Sequence, residues 1–222
     1  MQATQPGPVI PQRYVDALGK RDPIELMSKA AKRLRKLLEG RSEKELEWRP
    51  APGKWSIKEV LAHLADGEMM IGSRLRFVAA MDRPVIVGYD QDAFVARLGA
   101  EQRSAEECLD EFRALRAINT ALLSRLPKEA FARIGMHSER GEESLGHMVR
   151  LYAGHDLIHE AQIARQFSEF KADKRARRER AEEESREAER REKREKREKA
   201  LRKADQASKS EKARRRLLEP RR

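Results

Sequence analysis

Apolar residues recur at helical spacing in four separate stretches of the first 170 positions, and this periodicity constrains the fold more than any other feature. The spacing i, i+3, i+4, i+7 places them on one face of an α-helix, which is then buried against neighbouring helices. Three stretches follow typical helix starts, namely Asp22-Pro23, Ser56-Ile-Lys-Glu59 and Ser104-Ala-Glu-Glu107, and the fourth covers positions 145–167. The sequence therefore predicts four helices of roughly 15 to 25 residues, arranged as an all-α four-helix bundle.

The segments between these helices predict how the bundle is connected. Residues 82–103 contain Pro84, Gly88 and Gly99 and form a long crossover between the second and third helices, with a short helix at 92–98. A crossover of this length frees the two helices from being simple antiparallel neighbours. Residues 127–142 are expected to be an irregular connection, and no strand of useful length is predicted anywhere in the chain.

Composition divides the chain into three parts. Residues 171–222 hold 23 Lys/Arg and 13 Asp/Glu, so this tail carries +10 of the net charge of +11. The tail lacks an apolar heptad seam, which argues against a coiled coil. Its Glu and Lys/Arg pairs at i, i+3 and i+4 predict a charged helical extension through Lys199, followed by disorder. Residues 1–22 are expected to form a flexible, extended arm, and residues 23–170 the bundle.

The remaining composition predicts a cytoplasmic protein. The N-terminus lacks the basic and apolar regions of a secretory signal, and no apolar stretch approaches the ~20 residues that span a bilayer. The single cysteine, Cys108, cannot form an internal disulfide, which fits a reducing compartment. Because Cys108 lies among carboxylates that disfavour its thiolate, we expect a structural role.

Three histidines are the candidate metal ligands. His155 and His159 are four residues apart, so their side chains lie on the same helix face, one turn apart. His63, near the start of the second helix, could supply a third imidazole and leave one metal position open for water or substrate. The segment His155-Asp-Leu-Ile-His159 differs from the zincin pattern, which has Glu in place of Asp, and no clear third ligand follows it. A zincin protease is therefore not expected.

Two carboxylates beside these histidines are the candidate catalytic residues. Asp66 follows His63 by one helical turn, and Asp156 is adjacent to His155. Carboxylates in such places orient metal-bound imidazoles or accept a proton from a metal-bound water. Glu68 and Glu160 are expected to be solvated surface charges, and His147 is expected to face solvent.

Residues 22–170 resemble the DinB-like superfamily, which includes metal-dependent hydrolases of the YfiT type and low-molecular-weight-thiol S-transferases. The order and spacing of three segments carry the resemblance, namely 48–68, 88–94 and 154–163. It implies a four-helix bundle with a long crossover and a divalent metal, typically zinc or nickel with iron and manganese as further candidates, at positions that match His63, His155 and His159. Homodimers are common in this family.

Two classes of function follow from these features. The first is a metal-dependent enzyme that acts on a small-molecule substrate, either as a hydrolase that activates water or as an S-transferase that activates a low-molecular-weight thiol. The second is a non-catalytic interaction protein that uses the metal structurally. Its basic tail would bind an acidic partner or nucleic acid through weak, salt-sensitive contacts. Trp48, Trp55, Tyr89 and Phe94 lie in segments that could border the site.

Overall fold

A computed structural model describes residues 12–218. The described part of the chain is helical apart from three short strands and the segments that connect the elements. The strands are β1 (Val85–Ile86), β2 (Ile134–His137) and β3 (Gly141–Ser144). The helices of the described part are α1 (Gln12–Leu18), α2 (Pro23–Leu38), α3 (Glu43–Glu47), α4 (Ile57–Ala80), α5 (Gln91–Arg97), α6 (Ala105–Arg125) and α7 (Leu145–Leu218), with a 3₁₀ turn at Lys128–Ala132.

The four predicted helices are α2, α4, α6 and the first part of α7. The Asp22 carboxylate accepts a hydrogen bond from the backbone N–H of Glu25 at 2.7 Å, and this N-cap starts α2. Reciprocal capping boxes start α4 at Ser56 and α6 at Ser104. The four-helix bundle is confirmed, and three of its helices begin where local capping chemistry predicts.

The buried apolar side chains form two core clusters, whose order along each helix gives the direction of that helix. The first cluster precedes the second in α4 and α6, whereas the second precedes the first in α2 and α7: Val60 then Leu75, Leu109 then Leu123, Met27 then Leu34, and Met148 then Ile163. Helices α4 and α6 thus run in the same direction, which requires a long connection between them. Residues 81–104, which include β1 and α5, supply the predicted crossover.

The sequence analysis missed a small sheet. Strand β2 pairs with β1 in parallel (Val85 with Met136) and with β3 in antiparallel fashion (His137 with Gly141). The predicted irregular connection at 127–142 is therefore wrong, because these residues form a 3₁₀ turn and a hairpin. The three-residue hairpin loop, 138–140, is followed by Gly141, whose φ of +80° lies in the left-handed region that favours glycine. Strands of two to four residues are too short to show a periodic signal.

The prediction of an extended arm is wrong for residues 12–18, which form α1; residues 1–11 lie outside the described part. Leu18 of α1 is buried in the second core cluster. The backbone of α1 approaches α7 so closely that a Cβ atom at Gly154 would lie 2.6 Å from the carbonyl oxygen of Tyr14. A single buried apolar residue in a seven-residue helix gives too little periodicity to be recognised.

Contacts divide the chain into one unit that ends at Phe170 and a second that begins at Lys171. The second unit is helical as far as Leu218, so the disorder predicted beyond Lys199 is not observed. Exposed i, i+4 pairs such as Arg175–Glu179 and Arg194–Glu198 each add a small increment of helix stability. Glycine is absent from this segment, and its proline, Pro220, follows the helix. No helix within residues 12–218 combines the length and apolar character needed to cross a membrane.

Candidate metal centre

Three imidazoles from two helices converge between the core clusters. His63 belongs to the second turn of α4, whose start is fixed by the Ser56 capping box, and His155 and His159 occupy successive turns of α7. The Nε2 atom of His155 lies 3.2 Å from Nε2 of His63 and 3.1 Å from Nε2 of His159. In the described part of the chain, these three form a group whose potential ligand atoms all lie within 4.8 Å of one another.

The spacing of these nitrogens suits a metal ion. Nitrogen ligands about 2.0–2.1 Å from zinc, at angles between about 90° and 110°, lie about 2.8–3.4 Å apart. Both measured Nε2–Nε2 distances fall in this range. A single shared proton can bridge one pair of imidazole nitrogens, whereas one cation can satisfy all three.

The surroundings keep the three rings neutral, as ligands must be. Burial, followed by the charge of His159, lowers the pKa of His63 to about 3. Burial also lowers the pKa of His155 well below its usual value, with further contributions from His159 and His63. The pKa of His159 is lowered by burial as well. At neutral pH the Nε2 lone pairs therefore face little competition from protons.

Gln162 fixes the orientation of His159, a role that the sequence analysis did not assign. Its Oε1 atom lies 2.9 Å from Nδ1 of His159 and accepts a hydrogen bond when that nitrogen carries the proton. This tautomer leaves the Nε2 lone pair of His159 free for the other two histidines. The i, i+3 spacing of the two residues on one helix is a signal that could have identified the pair.

Asp156 is held away from proton transfer by a buried arginine. Arg116 of α6, which is 2% exposed, donates to both oxygens of Asp156 and also binds Glu68 at 2.6 Å. Burial alone lowers the pKa of Arg116, but the charges of Asp156 and Glu68 outweigh that effect and raise it. The expectation that Glu68 is a solvated surface charge is wrong, because its side chain is fully buried in this network.

Asp66 faces a different set of neighbours from the histidines. One carboxylate oxygen accepts a hydrogen bond from Arg103 at 3.0 Å, and the other is buried without a partner in the described residues. Its charge helps to raise the pKa of the Tyr89 hydroxyl, although burial makes the larger contribution. Asp66 therefore lies near Tyr89 and Arg103, and among the described residues it makes no hydrogen bond to an imidazole.

The other residues singled out from the sequence occupy distinct places. His147 is only 18% exposed and lies 3.9 Å from a Glu143 oxygen, so the expectation that it faces solvent is wrong. Glu160 pairs with Arg33 and is also mostly buried. Burial raises the pKa of Cys108 to about 11, which agrees with a structural thiol. Neither His147 nor Cys108 belongs to the three-histidine group.

A cavity of about 190 Å³ adjoins His155. His155 and Asp156 line one part of it, and Arg74, Tyr89 and Tyr152 line another. Of the four aromatic residues considered from the sequence, Tyr89 lines this cavity, with Phe94 against it at a ring distance of 4.6 Å. The Trp55 ring lies 5.0 Å from the ring of His63, whereas Trp48 packs on Phe170.

Comparison with known proteins gives relatives of one kind. Over 111 residues the chain is 32% identical to "Putative metal-dependent hydrolase OB0782" of Oceanobacillus iheyensis, an alignment that covers 50% of this chain and 64% of that protein, just under two thirds. Over 141 residues it is 26% identical to "Putative metal-dependent hydrolase YfiT" of Bacillus subtilis, covering 63% and 79% of the two chains.

A solved structure and a family profile agree with these relatives. The structure is described as "YfiT from Bacillus subtilis is a probable metal-dependent hydrolase with an unusual four-helix bundle topology". It matches with a TM-score of 0.61 and 22% identity, covering 74% of this chain and 94% of the other, and so supports the fold. The profile of the DinB superfamily matches residues 26–163. The chain therefore belongs to the DinB superfamily.

Proposed function

We propose that this chain is a metal-dependent enzyme in which His63, His155 and His159 hold one divalent metal ion. The observation that carries the proposal is the convergence of Nε2 of His63 and Nε2 of His159 on Nε2 of His155, at 3.2 and 3.1 Å. The names of the relatives support metal dependence, and they describe hydrolases. Imidazole ligands favour zinc or nickel, with iron and manganese as further candidates.

An open metal position favours an enzyme over a structural metal protein. Structural zinc sites are closed by four protein ligands, whereas catalytic sites have three and leave room for water or substrate. Among residues 12–218, the group of potential ligands comprises three histidines and no fourth Cys, His, Asp or Glu. The adjoining cavity gives the open side a space that a small-molecule substrate could occupy.

When bound, the metal would supply a Lewis acid that lowers the pKa of a water molecule or of a small thiol. The chain would supply orientation around it. Gln162 keeps the proton of His159 on Nδ1, and Arg116 holds Asp156 beside His155. We propose Asp156 as a positioning residue, since both of its oxygens are engaged. Asp66, with one oxygen unpartnered, is the better candidate for accepting a proton.

The test is a substrate screen with the full chain loaded with zinc or nickel. Esters, amides and electrophiles are offered with and without a low-molecular-weight thiol, which separates hydrolysis from S-transfer. Activity should fall to background in His63→Ala and persist in His147→Ala, a histidine outside the group. Undiminished activity in His63→Ala would overturn the proposal.

A further inference from the structure

Arg74 is a buried cation on the same side of α4 as the metal centre. It follows His63 by 11 residues, which is close to three full helical turns. Its side chain is 7% exposed and lines the cavity beside His155. A guanidinium in such a place has lost most of its hydration, so its five N–H donors need other acceptors.

The protein satisfies Arg74 only in part. Nη1 donates to the Tyr152 hydroxyl at 3.1 Å, Nη2 donates to the backbone carbonyl of Val87 at 2.6 Å, and the guanidinium lies 5.3 Å from the Tyr89 ring centre. The Nε atom is buried and has no hydrogen-bond partner among the described residues. Each of these three partners is a neutral group.

The other two arginines of the cavity show what Arg74 lacks. Arg116 is neutralised by Asp156 and Glu68, and Arg140 binds both oxygens of Glu143. No carboxylate in the part of the chain that the structure describes lies within salt-bridge distance of Arg74. A buried charge is costly unless it is paired, which indicates that its partner comes from outside the chain.

The cavity can accommodate such a partner. Its volume of about 190 Å³ corresponds to roughly six water molecules at ~30 Å³ each, enough for a small organic anion. An oxyanion beside Arg74 could accept the free Nε–H. The Tyr152 hydroxyl accepts from Arg74 and keeps its own proton, which it could donate to the same anion.

We propose that Arg74, with Tyr152, binds the oxyanion group of a small-molecule substrate, a carboxylate or a phosphate, in the cavity beside His155. As a statement of substrate class this rests on the proposed metal function. The anion site itself needs no metal and can be tested without it. Charge-assisted hydrogen bonds to carboxylate and phosphate are among the strongest that arginine makes.

The experiment follows the Nε–H resonance of Arg74 by NMR in the metal-free full chain. The resonance is assigned by its loss in Arg74→Lys, and acetate and inorganic phosphate are titrated separately. Reading one resonance separates this site from nonspecific binding of phosphate by the tail arginines. We expect a saturable shift with a dissociation constant of about 1–10 mM, as suits a fragment-sized ligand. Saturation by acetate assigns a carboxylate, and saturation by phosphate assigns a phosphate.

Because the Arg74 variants lack the Nε–H group, anion binding to them is followed by the chemical-shift changes of the backbone amides of Tyr89 and Tyr152. Arg74→Gln, and Arg74→Lys as the variant that keeps the charge, should weaken binding about tenfold or more. Arg76→Lys, two residues further along α4, should leave it unchanged. The absence of a saturable shift with either anion, or unchanged affinity in a folded Arg74→Gln, would overturn the proposal.

Metal content separates this proposal from the proposed function. Zinc uptake without a saturable anion shift would leave the metal function standing and overturn the anion site. A saturable anion shift in a chain that takes up no metal would leave the anion site standing and overturn the metal function.

Discussion

At the scale of single residues, the proposed metal centre depends on neutral imidazoles that are buried and correctly oriented. Burial lowers the pKa of all three histidines, and the hydrogen bond from His159 to Gln162 selects the tautomer that exposes Nε2. In metalloproteins such outer partners contribute to affinity although they do not touch the metal. Gln162 is therefore the residue through which ligand orientation can be tested without removing a ligand.

Gln162→Leu should weaken metal binding about 10–100-fold, because Nδ1 of His159 loses its acceptor and the ring loses its fixed tautomer. Gln162→Glu, which keeps an acceptor at the same distance, should bind close to the level of the unmodified chain. Zinc competition with a chromophoric chelator measures both affinities. If Gln162→Leu bound zinc as tightly as Gln162→Glu, Gln162 would have no orienting role.

The residue scale also shows what a sequence can reveal about such a site. The i, i+4 spacing of His155 and His159 is a local pattern and was recognisable at once. The third proposed ligand, His63, is 92 positions away from His155, so no local spacing connects the two, and the family resemblance strengthened its assignment. In the buried network, Arg116 is 48 residues from Glu68 and 40 residues from Asp156, so no local sequence pattern predicts these contacts.

At the scale of elements, the helices were predictable and the contacts between them were not. Caps at Asp22, Ser56 and Ser104 are local and mark the helix starts. The packing of α1 against α7 depends on the absence of a side chain at Gly154, because a Cβ atom there would meet Tyr14. The Tyr14 ring in turn lies 6.0 Å from the ring of His155, so α1 forms one side of the site.

Gly154→Ala should displace α1 and destabilise the fold by about 1–3 kcal/mol, the usual cost of overpacking, despite the better helix propensity of alanine. Hydrogen exchange should accelerate in residues 12–18. Gly67→Ala is the matched control, because its Cβ would lie 3.4 Å from the Tyr89 hydroxyl, which is an ordinary contact. Unchanged exchange of α1 in Gly154→Ala would contradict this packing.

At the scale of the whole molecule, the chain contains two stretches whose helices are stabilised by different interactions. Within residues 12–170 the chain buries apolar side chains, whereas residues 171–218 have almost none to bury and are helical with local charge pairs between their turns. The charge of the tail was predictable because it is compositional. The continuation of its helix beyond Lys199 was not expected, since helix propensity without packing gives a weak signal. Binding of nucleic acid by the tail remains a prediction.

The stability of the metal-free chain should fall in acid. Unfolded histidines take up protons near pH 6.5, whereas His63 in the folded chain has a pKa of about 3, so the unfolded state binds more protons between these values. The free energy of unfolding should therefore decrease as the pH falls from about 6.5 towards 3, by up to about 1.4 kcal/mol per pH unit for each such histidine.

Urea denaturation across this pH range measures the slope. In His63→Gln the free energy of unfolding should depend less steeply on pH, because unfolding takes up about one proton fewer once this buried base is removed. An identical slope in His63→Gln and the unmodified chain would show that His63 does not resist protonation in the folded state.

The central claim, that the three histidines hold a metal, is tested most directly by metal content. The untagged full chain, purified without chelators and then reconstituted, is analysed by inductively coupled plasma mass spectrometry beside His159→Ala and His147→Ala. We expect about one zinc or nickel ion per chain, loss of this metal in His159→Ala with helicity preserved, and its retention in His147→Ala. No bound metal in the reconstituted chain, or equal metal in His159→Ala, would contradict the account.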